Sequence, residues 1–566
     1  MKMIITVLLL GFPVALVMAW AYELTPQGLR RESEIEHGQS SVRANTSKLD
    51  RTITIALILA VVYFSFDKFV LDPRRDAAIL ESISTQNPVV EPQADPAQPD
   101  QASSIAVLPF VNMSDDAGNE YFSDGLSEEL LNLLVRIPEL RVAARTSSFS
   151  YKGKDTKIAQ IGQELGVTHV LEGSVRKSGD QLRITAQLIK ADDGFHLWSQ
   201  TYDRTLDNIF QIQDEIAIAV VNELKVTLLG ALPVLQVTDP EVYSLYLQGR
   251  YLTTPPKGSK EEVENAVSAF KQALVIDPDY VPAWIGLSWA YEFQTRMGVH
   301  PRTLGIELSR EAADMALAID DSLAIAWSTQ SYLRKRYDWD WDGAKEAMDK
   351  ALQLEPNNVD VLLPAGSVAS SLGLLDMSIE LFERAVTLDP LSLMALGNLA
   401  DRYAKRGYYD EALAMNQGLL VLDPQNSWAL EGIAEIYLRQ GNPERALTEI
   451  NKLPYSHRLN RLKAEALFIL GQEKESRALT HDFLSTPAHV GPYAKAIIYA
   501  FRGENDSAFE FLELAFEQHD SALANILTHD ALHHLEDDPR YPVFLEKLGL
   551  LEAWKTLLNS TGQALL

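Results

Sequence analysis

The run Asp338-Trp-Asp340-Trp-Asp342-Gly343, followed by five residues and then Asp349, has the spacing of an oxygen-ligand calcium loop. Two features count against a bound cation. The twelfth position is Asp349, where such a loop uses a longer, bidentate glutamate, and Ala344 to Leu352 has the apolar spacing of a helix where the loop must stay open. The expected role is an acidic turn whose tryptophans pack between helices. His529 and His533 stand four apart with His534 and Glu536 alongside; on a helix this puts two imidazoles on one face, suited to a transition metal but without a fixed third ligand. No metal is expected at either run. The phosphate-cradling G-x-x-x-x-G-K-[ST], the G-x-G-x-x-G turn and the H-E-x-x-H helix are absent, and there are no cysteines for thiolate chemistry. No cofactor and no catalytic group is assigned, and the chain reads as a non-enzyme.

The residues that could bind a partner are set out by a repeat. Ala351-Leu-Gln-Leu-Glu-Pro356, Ala385-Val-Thr-Leu-Asp-Pro390 and Leu419-Leu-Val-Leu-Asp-Pro424 end in prolines 34 residues apart, the length of one tetratricopeptide (TPR) helix-turn-helix unit. Aligned on those prolines, Trp284, Leu287 and Tyr291, then Leu396, Leu399, Ala400 and Tyr403, then Leu430, Ile433, Ala434 and Tyr437 form first-helix core stripes. Ala266, Phe270 and Ala273, then Ala344, Met348 and Ala351, then Phe382 and Ala385 are their second-helix partners. Gly373, Gly407, Gly441 and Gly503 fall at the turns, where positive φ is wanted. From Pro278 to Asp321, which stands where proline is expected, the interval is 43, so a loop of about nine residues around 298–305 is expected. The array spans 240–520 with seven or eight units, and 521–566 supplies capping helices. On the first helices, away from the core stripe, Trp289, Phe293, Ser367, Asp401, Lys405, Trp428, Glu435 and Arg439 form a candidate partner-binding groove, since exposed Trp and Arg most often anchor a partner.

Ahead of the repeats, 105–230 changes period repeatedly. Ile105 to Phe110 and Leu140 to Ala144 read as short strands; Leu126 to Val135, Ile158 to Leu165 and Phe210 to Leu228 read as helices. Thr168 to Arg176, Gln181 to Ile189 and Gly194 to Tyr202 are strand-like, with Lys177-Ser-Gly-Asp180 as a hairpin turn. A small α/β domain with a mixed sheet of four or five strands is expected. The phrases Ser104-Ile-Ala-Val-Leu-Pro-Phe110, Tyr121-Phe-Ser-Asp-Gly-Leu126, Arg145-Thr-Ser-Ser-Phe149, Val170-Leu-Glu-Gly-Ser-Val-Arg176 and Leu197-Trp-Ser-Gln-Thr-Tyr-Asp-Arg204 resemble the TolB amino-terminal-like (FlgO-like) domain. The stretch Gly11 to Pro26 is similar to the membrane segment of the bacterial proteins that join this domain to TPR repeats and often carry the label "adenylate cyclase". The resemblance implies a shortened member of that group, or a chain whose true start lies upstream, since such proteins commonly begin with a further hydrophobic helix, some with a winged-helix or cyclase domain.

Ile4 to Tyr22 and Ile53 to Val70 are apolar over about the ~17–25 residues that cross a bilayer, so two transmembrane helices, about 4–22 and 53–70, are expected. The first also has the form of a cleavable leader, with Lys2 before it and Ala19-Trp20-Ala21 at its end, although Trp20 suits a membrane-interface belt. Arg30, Arg31, Arg43, Lys48 and Arg51 lie between the spans, against Lys68, Arg74 and Arg75 after them. This bias puts the loop in the cytoplasm and everything after about residue 72 in the periplasm of an inner-membrane protein. The Pro/Gln-rich 72–104 is a linker. The net charge of −28 sits almost wholly beyond residue 103 and repels phosphate backbones, which argues against nucleic acid as a partner.

The fold class expected is mainly α: a TPR solenoid preceded by a small TolB-like α/β domain and two membrane helices. The expected function is a non-enzymatic, membrane-anchored scaffold or sensor that takes protein or peptide partners on its concave face and meets the lipid bilayer through its amino-terminal helices. An adenylate cyclase-related signalling protein, or the sensory part of a membrane-tethered regulator, is the alternative.

Overall fold

The computed structural model describes residues 22–25, 28–31, 103–137, 139–224, 237–254, 258–452, 457–485 and 491–561. The chain divides near residue 100 into two units. In the first, β1 (Tyr22–Thr25) and β2 (Gly28–Arg31) pair antiparallel, Tyr22 opposite Arg31. Tyr22, expected to end a membrane helix, is a strand residue; the rest of both expected spans (4–21 and 53–70) and residues 72–102 of the linker lie outside the described residues. Among the described residues no helix is long and apolar enough to cross a membrane.

The second unit opens with a mixed sheet of β3 (Ser104–Val107), β4 (Val111–Asn112), β5 (Arg141–Val142), β6 (His169–Ser178), β7 (Gln181–Lys190) and β8 (His196–Thr205), in the order β5-β3-β6-β7-β8 with β4 beside β6. β3 runs parallel to both neighbours and all four of its residues are buried, as a strand covered on both faces requires. β6 and β7 form a hairpin closed by Ser178 opposite Gln181, with Gly179 at φ +58°, in the turn expected at 177–180. One face carries Phe122, Leu126 and Leu130 of the helix Glu120–Val135 and Ile212, Ile216 and Val220 of the helix Ile209–Glu223; the other carries Ile161 and Leu165 of the helix Ile158–Leu165. The short helix Arg145–Phe149 and β4 had no periodic signal because each is too brief to show one.

This core does not stop at the sheet. It continues through Tyr243, Phe270 and Leu287 of the first two repeats, with the Gln213 amide donating to the Tyr243 hydroxyl at 2.6 Å and Phe210 edge-on to Tyr243 at 5.0 Å. The sheet domain therefore covers the apolar face that the first unit of an array would otherwise expose.

Among the described residues eight helix pairs follow: Pro240–Thr253 with Lys260–Ile276, Val281–Arg296 with Arg302–Ile319, Ala324–Leu333 with Trp341–Leu354, Val359–Ser371 with Leu375–Leu388, Leu393–Arg406 with Tyr409–Leu422, Ser427–Arg439 with Pro443–Ile450, His457–Ile469 with Glu473–Ser485, and Pro492–Phe501 with Asn505–Glu517. The recurring Leu-Asp-Pro phrase ends second helices by a simple mechanism. The aspartate N–H still closes on the carbonyl four residues back (Asp389 to Ala385 at 2.7 Å, Asp423 to Leu419 at 2.8 Å), and the proline that follows has no N–H with which to continue. Gly373, Gly407, Gly441 and Gly503 turn the chain at φ +71°, +86°, +68° and +70°. Ala266, Phe270, Ala273, Ala344, Phe382 and Ala385 are completely buried between helices.

Two expectations are corrected. The irregular unit does not hold its extra residues as a nine-residue loop at 298–305: the helices Val281–Arg296 and Arg302–Ile319 have 16 and 18 residues, against 13 and 14 in Val359–Ser371 and Leu375–Leu388, so most of the insertion lengthens helix. The expected carboxy-terminal cap of helices begins instead as two 3₁₀ turns, Ser521–Thr528 and Asp530–Leu535, before the helices Arg540–Leu548 and Leu551–Thr561. These cover the last repeat and also return to the middle of the array. The Trp341 indole donates to the Leu548 carbonyl at 2.7 Å, and Leu523, Ile526 and Leu545 share a core with Leu375, Phe382 and Leu399.

Candidate functional site

The sheet domain meets the array a second time, far along the chain, through the phrases that both halves repeat. In the helix Arg145–Phe149 the Ser147 N–H and hydroxyl both reach the Asp389 carboxylate, at 2.9 and 2.5 Å, and the same hydroxyl accepts from the Leu391 N–H at 2.9 Å. The Ala144 N–H donates to the Leu388 carbonyl at 2.8 Å. Burial pushes the Asp389 carboxyl above its ordinary pKa, partly offset by the Ser147 bonds. Asp389 is the aspartate of the repeat phrase, so one residue both ends a helix and anchors the sheet domain.

Beside this contact lies a cleft of about 320 Å³ between the two halves. Its floor is Glu128, whose carboxylate takes Arg145 Nε at 2.9 Å on one oxygen and Arg250 on the other. Arg145 also lies over the Phe149 ring, 4.3 Å from its centroid. Burial lowers the pKa of both guanidiniums, and the nearby charge of Asp360 acts the other way. Trp289 and Phe293, four apart on the helix Val281–Arg296, line one side; Asn357, Asn358 and Asp360, at the start of the helix Val359–Ser371, line another. Asn358 caps that helix by accepting the Asp360 N–H at 2.9 Å, and Asp360 itself is exposed. With its ionisable floor already paired, the cleft offers a ligand charge and aromatic surface rather than a poised nucleophile and base.

The eight candidate groove residues fall in three places. Trp289 and Phe293 line the cleft together. Ser367 accepts from Lys335 Nζ at 2.7 Å; Lys335 is 4% exposed within the π-helical turn Arg334–Asp338, and burial, with Arg336 and Arg402 near, pushes its amine down to about 7. Asp401, Lys405, Trp428, Glu435 and Arg439 gather on the interior of the array. Asp401 accepts from Lys405 at 2.8 Å and pairs with Arg402; burial raises its carboxyl, but these cations outweigh that and hold it well below the usual range. Arg439 pairs with Asp530 of the returning carboxy-terminal segment and donates to the Ala404 carbonyl at 2.8 Å, and Glu435 lies 3.9 Å from Arg461. Four of the five, Asp401, Trp428, Glu435 and Arg439, line a space of about 20 Å³, room for a single water. Sequence reasoning missed Glu128, Arg250 and Asp360 as site residues; Arg145 and Asp389 were visible only as parts of a domain phrase and a repeat phrase.

The two metal-like runs are used otherwise. Asp340 caps the helix Trp341–Leu354 by accepting the Gly343 N–H at 3.0 Å, and Asp338 pairs with Arg310. Both tryptophans pack between helices as expected, and reach the carboxy-terminal segment as well: Trp339 lies 5.2 Å from Phe516 of the eighth pair and stacks on His519, and buried Trp341 shares a core with Leu375 and Ile379 while donating to Leu548. His529 and His533 do not share a helix face: His529 has extended backbone between the two 3₁₀ turns, and His533 lies in the second, 2.5 Å from Glu536. The period there is three, set by buried Leu532 and Leu535.

Comparison with known proteins fits this division. Residues 101–219 match a family model described as the second domain of HilA/YgeH-like transcriptional regulators, and 360–390 and 403–467 match tetratricopeptide repeat models. The chain thus contains TPR repeats. A stretch of 159 residues is 45% identical to "Putative adenylate cyclase 3" of Rhizobium meliloti (strain 1021), covering 27% of this chain and 26% of that protein, so the chain spans about a quarter of the length of the curated relative it matches. Among solved structures it is similar to a tetratricopeptide repeat protein from Parabacteroides merdae ATCC 43184 (16% identical, 48% of this chain and 100% of that one, TM-score 0.35). It is also similar to PilW, a type IV pilus biogenesis factor (18% identical, 37% and 94%, TM-score 0.32), and to YrrB, a TPR protein with an unusual peptide-binding site (20% identical, 38% and 99%, TM-score 0.27).

Proposed function

We propose that this chain is a non-enzymatic scaffold or sensor of the bacterial envelope. Helices at about 4–22 and 53–70 anchor it in the inner membrane, a TolB-like domain at 105–230 stands in the periplasm, and the repeats at 240–520 recruit a protein or peptide partner. The observation that carries the reading is the run of eight stacked helix pairs, because such arrays present extended surface made for other chains. The arginine bias between the two apolar runs supports the orientation, and the acidic surface argues against nucleic acid.

A second reading makes the chain an adenylate cyclase-related signalling protein or the sensory part of a membrane-tethered regulator. The names of the Rhizobium relative and of the model over 101–219 favour it. Purified full chain supplied with magnesium and ATP separates the two: cyclic AMP is expected to stay at the protein-free level, and formation that scales with protein concentration sinks the scaffold reading. Alkaline phosphatase fused after Leu566 is expected to be active, as a periplasmic carboxy terminus requires.

A further inference from the structure

The cleft between the sheet domain and the repeats has unspent recognition capacity of both signs. A guanidinium carries five N–H donors. Arg145 uses only its Nε, and Arg250 one terminal nitrogen, both on Glu128; their remaining nitrogens have no hydrogen-bond partner among the described residues. They keep 27% and 31% of their side-chain surface open, whereas Glu128 between them keeps 8%, so the free donors face the cleft and their counter-ion lies beneath it. The two arginines and Glu128 together leave one net positive charge. Asp360 lines the same cleft, near enough for its charge to act on both arginines; it is exposed, and no ion pair or hydrogen bond reaches its carboxylate among the described residues. Trp289 and Phe293, both half-buried, supply aromatic surface to the same cleft.

We propose that this cleft binds a small zwitterion of the α-amino acid class with an aromatic or apolar side chain, its carboxylate on Arg145 and Arg250, its ammonium toward Asp360 and its side chain against Trp289 and Phe293. A volume of about 320 Å³ lies at the small end of ligand sites, which suits a single amino acid rather than a folded segment. A bare anion such as phosphate leaves Asp360 and the aromatic wall unused. Because the walls come from both halves of the molecule, occupancy ties the sheet domain to the array, and the inference rests on the sensor form of the function proposed above.

The test is calorimetric titration of the full chain in detergent with L-phenylalanine, phenylalaninamide, N-acetylphenylalanine and inorganic phosphate. The expected result is that phenylalanine binds, that removing either charge weakens binding at least about tenfold, as loss of one charge-assisted bond implies, and that phosphate does not compete. Arg250→Gln is expected to abolish binding. Because that change strips Glu128 of a partner and can unfold the chain, Asp360→Asn, at an exposed position, gives the second reading: it is expected to erase the preference for phenylalanine over its N-acetyl form while the preference over the amide survives. Equal binding of all three amino-acid forms, displacement by phosphate, or no heat with millimolar phenylalanine overturns the proposal. None of these touches partner recruitment, which crosslinking measures separately.

Discussion

Trp339 and His519 are the two non-glycine residues with positive φ among the described residues, at +53° and +49°, and their rings stack on each other 4.8 Å apart with 15° between planes. One stands in the third repeat and the other just past the eighth. A left-handed backbone costs a non-glycine residue about 1–3 kcal/mol and persists only where the surroundings over-determine it. Here the over-determination is the return of the carboxy-terminal segment to the middle of the array, which continues one turn further at Trp341 and Leu548.

Trp341→Phe tests that closure. It keeps an aromatic ring in a buried site but deletes the N–H that satisfies the Leu548 carbonyl, an expected loss of about 1–3 kcal/mol. Urea unfolding of the full chain reads it. If the carboxy-terminal segment were a loose appendage, the midpoint would not move.

Asp389→Ala removes the acceptor for both the N–H and the hydroxyl of Ser147. Two buried donors are left unpaired, so about 2–4 kcal/mol of stability is expected to go, with faster hydrogen exchange at 144–149. Ser147→Ala is expected to cost less, because the N–H bond survives.

Lys335 sets a pH dependence. Its amine is lowered to about 7 in the folded chain, from 10.5, chiefly by burial. Between about pH 7 and 10.5 the unfolded chain therefore binds more protons, so this group makes stability rise with pH through that window and places its full cost below it. Lys335→Met is expected to gain about 2–4 kcal/mol at pH 6.5 and almost nothing at pH 10, measured as the difference between variant and wild-type urea midpoints. A gain that does not depend on pH contradicts the assignment.

Glycines separate turn from packing. Gly407 has φ +86° with open space where a Cβ would stand, so Gly407→Ala costs only backbone strain, about 1 kcal/mol. At Gly397 a Cβ would stand 2.6 Å from the Trp428 ring, so Gly397→Ala must displace an indole and is expected to cost about 2–3 kcal/mol. Thermal melts that rank the two the other way contradict this packing.

The repeats were legible because their signal is local and recurs: Leu-Asp-Pro stops, turn glycines, and small residues such as Ala273 and Ala385 one turn along the same helix face from Phe270 and Phe382. Five of the six sheet strands were legible from their local apolar pattern, down to the turn at Gly179, whereas β4, two residues long, was not. The cleft was not, since Glu128, Arg145, Arg250 and Asp360 are brought together across more than two hundred residues and no spacing links them. The return of the carboxy terminus was hidden likewise: His529 and His533 suggested a helix, but which face Leu532 and Leu535 seek depends on Leu375 and Phe382 far upstream.

The central claim, that first helices of the array present a partner surface, is tested most directly by photo-crosslinking in living cells with benzoylphenylalanine at Met394, which is 59% exposed on the first helix Leu393–Arg406, and at Val275, which is 82% exposed on a second helix. A discrete adduct of one partner protein from position 394, absent from 275, is the result predicted. No adduct from 394, or the same adducts from both positions, contradicts it.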